Sequence, residues 1–86
     1  MYTSKNGKWD EGKLVRNPYI PMHIAGCVLH YGQAVFEGLK AFRQENGQVV
    51  VFRPEENARR MIDSCKRLVM DYPSEELFLT AMERVI

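Results

Sequence analysis

Arg53, Arg59 and Arg60 crowd one short stretch of the chain around Pro54. Guanidinium groups near the exposed amides of a helix start make a workable phosphate site, because charge and N–H donors converge there. Arginines on helices are more often solvated surface charges, so the pattern alone leaves both readings open. A second candidate is His30-Tyr31-Gly32-Gln33, followed by Phe36-Glu37-Gly38. Aromatics interleaved with glycines let a ligand approach the backbone between apolar walls. The plainer alternative is a bent strand whose aromatics fill a core. The lysines are the third group, since Schiff-base chemistry needs an amine whose pKa is depressed by burial or a cationic neighbour. Lys5, Lys8 and Lys13 lie in polar turns and Lys66 near a helix end, which leaves Lys40 as the one lysine in an apolar setting. His23, His30, Cys27 and Cys65 lack metal-ligand spacing, so no metal is expected. The two cysteines read as buried free thiols, with a disulfide between them as the alternative.

The elements that must position these groups follow from turn and period signals. Asn6-Gly7 and Asp10-Glu11-Gly12 read as tight turns in a small meander running from Tyr2-Thr3 through Trp9 to Leu14-Val15. Asn17-Pro18-Tyr19-Ile20-Pro21 is extended or looped, because each proline pushes its predecessor out of the helical region. Ala34 to Arg43 and Gln48 to Phe52 are two strand-type runs joined by Glu45-Asn46-Gly47, which is the signature of a β-hairpin. In the first run Phe36, Gly38, Lys40 and Phe42 share one face, and Val35, Glu37, Leu39 and Ala41 the other. The unalternating Val49-Val50-Val51-Phe52 suggests a strand covered on both faces. Two helices follow. Pro54 suits a first turn, Glu55 and Glu56 its positive end, and Lys66 and Arg67 its negative end. Ala58, Met61, Ile62, Cys65, Leu68 and Val69 form an apolar stripe at helical spacing. Ser74 is the expected N-cap of the second helix, whose stripe is Leu77, Phe78, Ala81, Met82, Val85 and Ile86. Strands first and helices after argue for an α+β fold, a small antiparallel sheet with two helices packed on one face. The second helix reaches the last residue with no cap behind it, so the chain reads as part of something longer.

The 86 residues carry 12 basic and 11 acidic side chains, a net charge of +1, and 45% hydrophobic residues. That is the composition of an ordinary globular segment, with one domain as the ceiling. Positive charges alternate with acidic ones, which excludes a nucleic-acid stripe. No apolar run is long enough for a membrane span, and the polar start has no signal-peptide core, so a cytoplasmic location is expected.

Leu29-His30-Tyr31-Gly32-Gln33-Ala34-Val35-Phe36-Glu37-Gly38-Leu39-Lys40-Ala41-Phe42-Arg43 resembles the signature stretch of branched-chain amino acid aminotransferases. Phe52 to Met61, continuing to Ser64 and Arg67-Leu68, resembles the next segment of that family, in the right order and at a fitting distance. Gly7-Lys8-Trp9-Asp10 matches its amino-terminal strand region, so the resemblance covers nearly the whole chain. D-amino acid aminotransferases and aminodeoxychorismate lyases share the fold, but typically read differently where this chain has Tyr31 to Gly38.

The resemblance implies that residues 1–86 form part of the smaller domain of a two-domain, fold-type IV enzyme dependent on pyridoxal 5'-phosphate. Arg60 falls where the family's arginine binds the cofactor phosphate, and Arg59 has no such role. Phe36 and Gly38 match positions lining the pocket for the branched side chain. Tyr31 matches a tyrosine lent to that pocket, often across a homodimer interface. His30, Glu37 and Lys40 are left as structural. The implied reaction is a ping-pong amino transfer from leucine, isoleucine or valine to 2-oxoglutarate. The Schiff-base lysine falls beyond position 86 in the family, so no catalytic residue is expected here and the chain alone is expected to be inactive. A different class remains as the alternative: a non-catalytic interaction module, or one half of a split protein that pairs with another chain.

Overall fold

A computed structural model describes residues 1–86. The chain opens with a two-stranded antiparallel ribbon, β1 (Ser4–Lys5) and β2 (Lys8–Trp9). Asn6 and Gly7 join them with φ of 53° and 73°, the paired left-handed geometry whose twist matches a tight hairpin. The expected third strand does not form. Asp10 instead turns its carboxylate onto the amides of Thr3 and Gly12, which satisfies those donors locally and ends the ladder. Leu14-Val15 runs on as unpaired, exposed chain.

A short helix that the sequence did not signal, α1 (Cys27–Tyr31), follows the looped region. Gly32 closes it in the left-handed conformation, at φ 61°. The second ribbon pairs β3 (Ala41–Arg43) with β4 (Val49–Val51), aligning Phe42 with Val50. Its turn is the Gln44–Gln48 segment, with the Asn46 side chain accepting from the Gln48 amide. The ribbons are separate, so the expected single sheet is two small ones, and the architecture is α+β. The strand-type run 34–40 stays extended without a strand beside it, which leaves β3 much shorter than the pattern suggested. β4 is not covered on both faces either: Val49 and Val50 are exposed, and so is Phe52.

The helices α2 (Pro54–Arg67) and α3 (Glu75–Glu83) pack against each other. Pro54 occupies the first turn of α2, with Glu55 and Glu56 at its amino end and Lys66 and Arg67 at its carboxyl end, which complements the helix dipole. The Ser74 hydroxyl accepts from the Leu77 amide, capping α3 as its sequence position suggested. On the α2 stripe Ala58 and Cys65 are buried, and Met61 and Ile62 are half-buried. Val69 departs from the expected stripe, because the chain has already left the helix there with φ at 54°.

Asn57, Ala58 and Cys65 are the only buried residues. The radius of gyration is 14.7 Å, against about 12 Å for a compact domain of this length. The apolar side chains instead surround an open cavity of about 700 Å³ that includes Trp9, Met22, Val35, Met61, Leu77 and Phe78 in its lining. The first ribbon is fastened to the α2–α3 connection by the Trp9 indole N–H donating to the Tyr72 carbonyl, and by Ser4 donating to Asp71. No helix is long and apolar enough to cross a membrane.

Candidate functional site

Residues 35–40 are extended, so successive side chains point to opposite sides. Val35, Glu37 and Leu39 are half-buried, while Phe36, Gly38 and Lys40 are exposed. The alternation legible in the sequence is therefore present without a strand partner, and it directs a carboxylate inward. An inward carboxylate needs partners, because an unpaired one would pay its desolvation without return. Helix α2 provides them. Asn57 and Arg60 are three residues apart and share a helix face. The Arg60 Nη2 donates to Glu37 Oε1 at 2.6 Å and its Nε to Oε2 at 3.1 Å, a two-pronged contact. The Asn57 Nδ2 donates to the same Oε1 at 2.8 Å and to the Gly38 carbonyl at 3.0 Å.

The Glu37 side chain is only 9% exposed, whereas that of Arg60 is 64% exposed. The Arg60 hydrogen bonds hold the Glu37 carboxyl down to about 2, with Asn57 adding to the effect. The same contact raises the Arg60 guanidinium further above its usual value. The pair is therefore ionised at any ordinary pH. Its net charge is close to zero, so Arg60 attracts an anion through directed N–H groups more than through long-range charge.

The other two arginines go elsewhere. Arg53 and Arg59 both reach the Glu56 carboxylate, at 3.2 and 2.7 Å, and Arg59 extends toward Glu75. The three arginines thus do not converge, and Arg60 lies a full turn or more inside α2 rather than at its exposed amides.

Phe36 and Gly38 do adjoin. A Cβ placed on Gly38 would sit 3.3 Å from the Phe36 ring edge, so the ring lies across the glycine and a side chain there would push it. Phe36 itself is 90% exposed. Tyr31 stands apart, at the end of α1, beside a recess of about 400 Å³ shared with Cys27, Gly32, Gln33 and Leu68. The Gln33 side chain fixes that recess by donating to the Leu68 carbonyl. Of the four expected site residues, Arg60, Phe36 and Gly38 are thus joined through Glu37, and Tyr31 is not. Lys40 is exposed, without the burial a Schiff-base lysine requires. Both cysteines are free. Cys65 is buried, which pushes its thiol up, but Cys27 is exposed, contrary to the expectation of two buried thiols. Asn57 is the residue that sequence reasoning passed over. Its only local signal was its position, one turn ahead of Arg60 on the face turned toward Glu37.

Comparison with known proteins bears on the same residues. No protein-family model matches the chain. It is 52% identical over 84 residues to a branched-chain-amino-acid aminotransferase of Helicobacter pylori, a match covering 98% of this chain and 25% of that protein. A branched-chain-amino-acid aminotransferase of Haemophilus influenzae is 46% identical over 82 residues, covering 95% of this chain and 24% of the relative. The chloroplastic branched-chain-amino-acid aminotransferase 5 of Arabidopsis thaliana is 41% identical over 86 residues, all of this chain and 21% of the relative. The chain thus spans about a quarter of the length of the curated relatives it matches, and nothing in these likenesses favours a stand-alone interaction module. Identity at this level, sustained from one end of the sequence to the other, places the chain in the branched-chain-amino-acid aminotransferase family.

Proposed function

We propose that this chain serves a branched-chain amino acid transaminase, supplying the cofactor-phosphate contact through Arg60 and part of the substrate pocket through Phe36 and Gly38. Leucine, isoleucine and valine are the amino donors, and 2-oxoglutarate is the usual acceptor. The single observation that carries the reading is the pairing of Arg60 with Glu37, which ties a guanidinium to the extended segment that presents Phe36 and Gly38 on its other side.

The residues fit a phosphate ester. Glu37 occupies the Nε–Nη2 edge of Arg60, and the remaining N–H groups of an exposed guanidinium are left to bind phosphate oxygens in a fixed orientation. When bound, pyridoxal 5'-phosphate supplies an electron sink for the carbon that carries the amino group. Arg60 would orient that group by its phosphate. Phe36 would offer an apolar face to the branched side chain, and Gly38 would keep the space beneath the ring clear. No group in this chain is assigned the proton transfers; a Schiff-base lysine elsewhere in the complete enzyme is.

The open apolar cavity and the exposed run of Tyr19, Ile20, Met22 and Ile24 support further packing against the rest of a longer chain and a second copy, as a homodimer. Tyr31, exposed beside a recess that Phe36 does not line, would reach a pocket of the neighbouring subunit in such an assembly. Two free thiols suit a reducing cytoplasm.

The test is Arg60→Ala in the complete enzyme, read as cofactor affinity by absorbance titration. Loss of a charge-assisted contact of about 1.5–3 kcal/mol should weaken binding roughly ten-fold or more. Unchanged affinity would overturn the assignment.

A further inference from the structure

We infer that Glu37 and Asn57 are positioning residues, which fix the phosphate-facing edge of Arg60 and tie that anchor mechanically to the Phe36–Gly38 wall. The inference rests on the proposed role of Arg60 and goes beyond it, because neither residue need touch cofactor or substrate.

The geometry is a three-way clamp. Asn57 is 8% exposed and spends both hydrogens of its Nδ2, one on Glu37 Oε1 and one on the Gly38 carbonyl. Glu37 Oε1 therefore receives Asn57 from one side and Arg60 Nη2 from another, while Oε2 takes Arg60 Nε. With both oxygens engaged the carboxylate plane is fixed, and a fixed carboxylate fixes the plane of the guanidinium paired to it. That matters because an exposed arginine otherwise samples many rotamers, and a phosphate contact must recover the lost freedom. The same Asn57 amide holds the backbone at Gly38, beside the edge of the Phe36 ring. One buried side chain thus sets both the anchor and the wall.

Two effects of Glu37 oppose each other. Its charge offsets that of Arg60, which would disfavour a phosphate dianion, while its geometry pre-orients the donors, which favours one. The Arg60 side chain is 64% exposed, so solvent weakens the repulsion at its phosphate-facing edge and the orientation dominates.

The experiment compares affinity for pyridoxal 5'-phosphate with affinity for pyridoxal, which lacks the phosphate, on the complete enzyme. The ratio isolates the phosphate contact and is insensitive to the fraction of protein that is folded. Glu37→Gln, which keeps the side-chain shape, should reduce the ratio about three- to ten-fold. The same substitution in an Arg60→Ala background should change it no further. Asn57→Ala should lower the ratio and also raise KM for a branched-chain amino acid at saturating cofactor. A ratio unchanged or increased in Glu37→Gln, with Arg60→Ala still deficient, would overturn the positioning role and leave the Arg60 assignment standing. An unchanged ratio in Arg60→Ala would instead overturn the assignment itself. An unchanged KM in Asn57→Ala would break the proposed tie between anchor and wall.

Discussion

At the scale of single residues, the ionisation of Glu37 gives the site a defined acid limit. Its folded-state carboxyl lies near 2, against 4.5 without its partners. A depressed carboxyl contributes stability that is fully present above the unfolded value and is lost as pH falls through the folded one. Glu37→Gln should therefore be less stable than the parent protein at pH 6, and the gap should close between about pH 4.5 and about pH 2. Because Arg60 is mostly exposed, the gap should be modest, about 1 kcal/mol or less. Urea unfolding of both proteins at pH 6 and pH 3 reads it. A gap that is the same at both values would mean that packing around Glu37, and not its charge, is what the substitution disturbs. Arg60 could be nominated from sequence through a family resemblance, yet its pairing could not. A contact between residues 37 and 60 leaves no periodic trace, whereas the inward and outward faces of 35–40 are written in the alternation itself.

At the scale of elements, the two long helices were legible because each satisfies several signals at once. Proline, acidic residues, stripe and basic end agree over α2, and Ser74 with Leu77, Phe78, Ala81 and Met82 does the same for α3, although that helix stops at Glu83, short of the expected Val85 and Ile86, which are exposed. Helix α1 was missed for a physical reason: five residues between Gly26 and Gly32 are too few to display a period. The strand lengths failed differently. Alternation over 34–43 reports which side each residue faces, not whether a hydrogen-bonding neighbour exists, and only Ala41–Arg43 has one. The apolar Val49–Phe52 run likewise signals a need for cover that residues 1–86 do not meet. The cap of α3 offers a direct check. Ser74→Ala removes the acceptor for the Leu77 amide and should destabilise by about 1 kcal/mol, seen as a lower urea midpoint with unchanged slope. No shift would mean that water or a neighbouring carboxylate replaces the hydroxyl.

At the scale of the whole molecule, the α2–α3 pair is the one region with buried side chains, and the first ribbon is an attachment to it. The attachment is held by few bonds, all to partners remote in sequence. Besides Trp9 and Ser4, the Arg84 guanidinium donates to the Tyr2 hydroxyl at 2.6 Å and to the Glu11 carbonyl at 2.8 Å, and lies over the Tyr2 ring. Those contacts close loops of more than sixty residues, whereas every helix and hairpin closes locally. Long closures carry the larger entropic cost, so they form late and break early. Arg84 is thus a latch in time as well as in space. Its removal should raise the frequency with which the amino-terminal ribbon lifts away while the helices stay intact. In Arg84→Ala, amide hydrogen exchange should quicken at Asp10 and Lys13, which bond to Thr3 and Met1, and stay unchanged through the centre of α2. Uniform acceleration would mean instead that ribbon and helices open as a single unit.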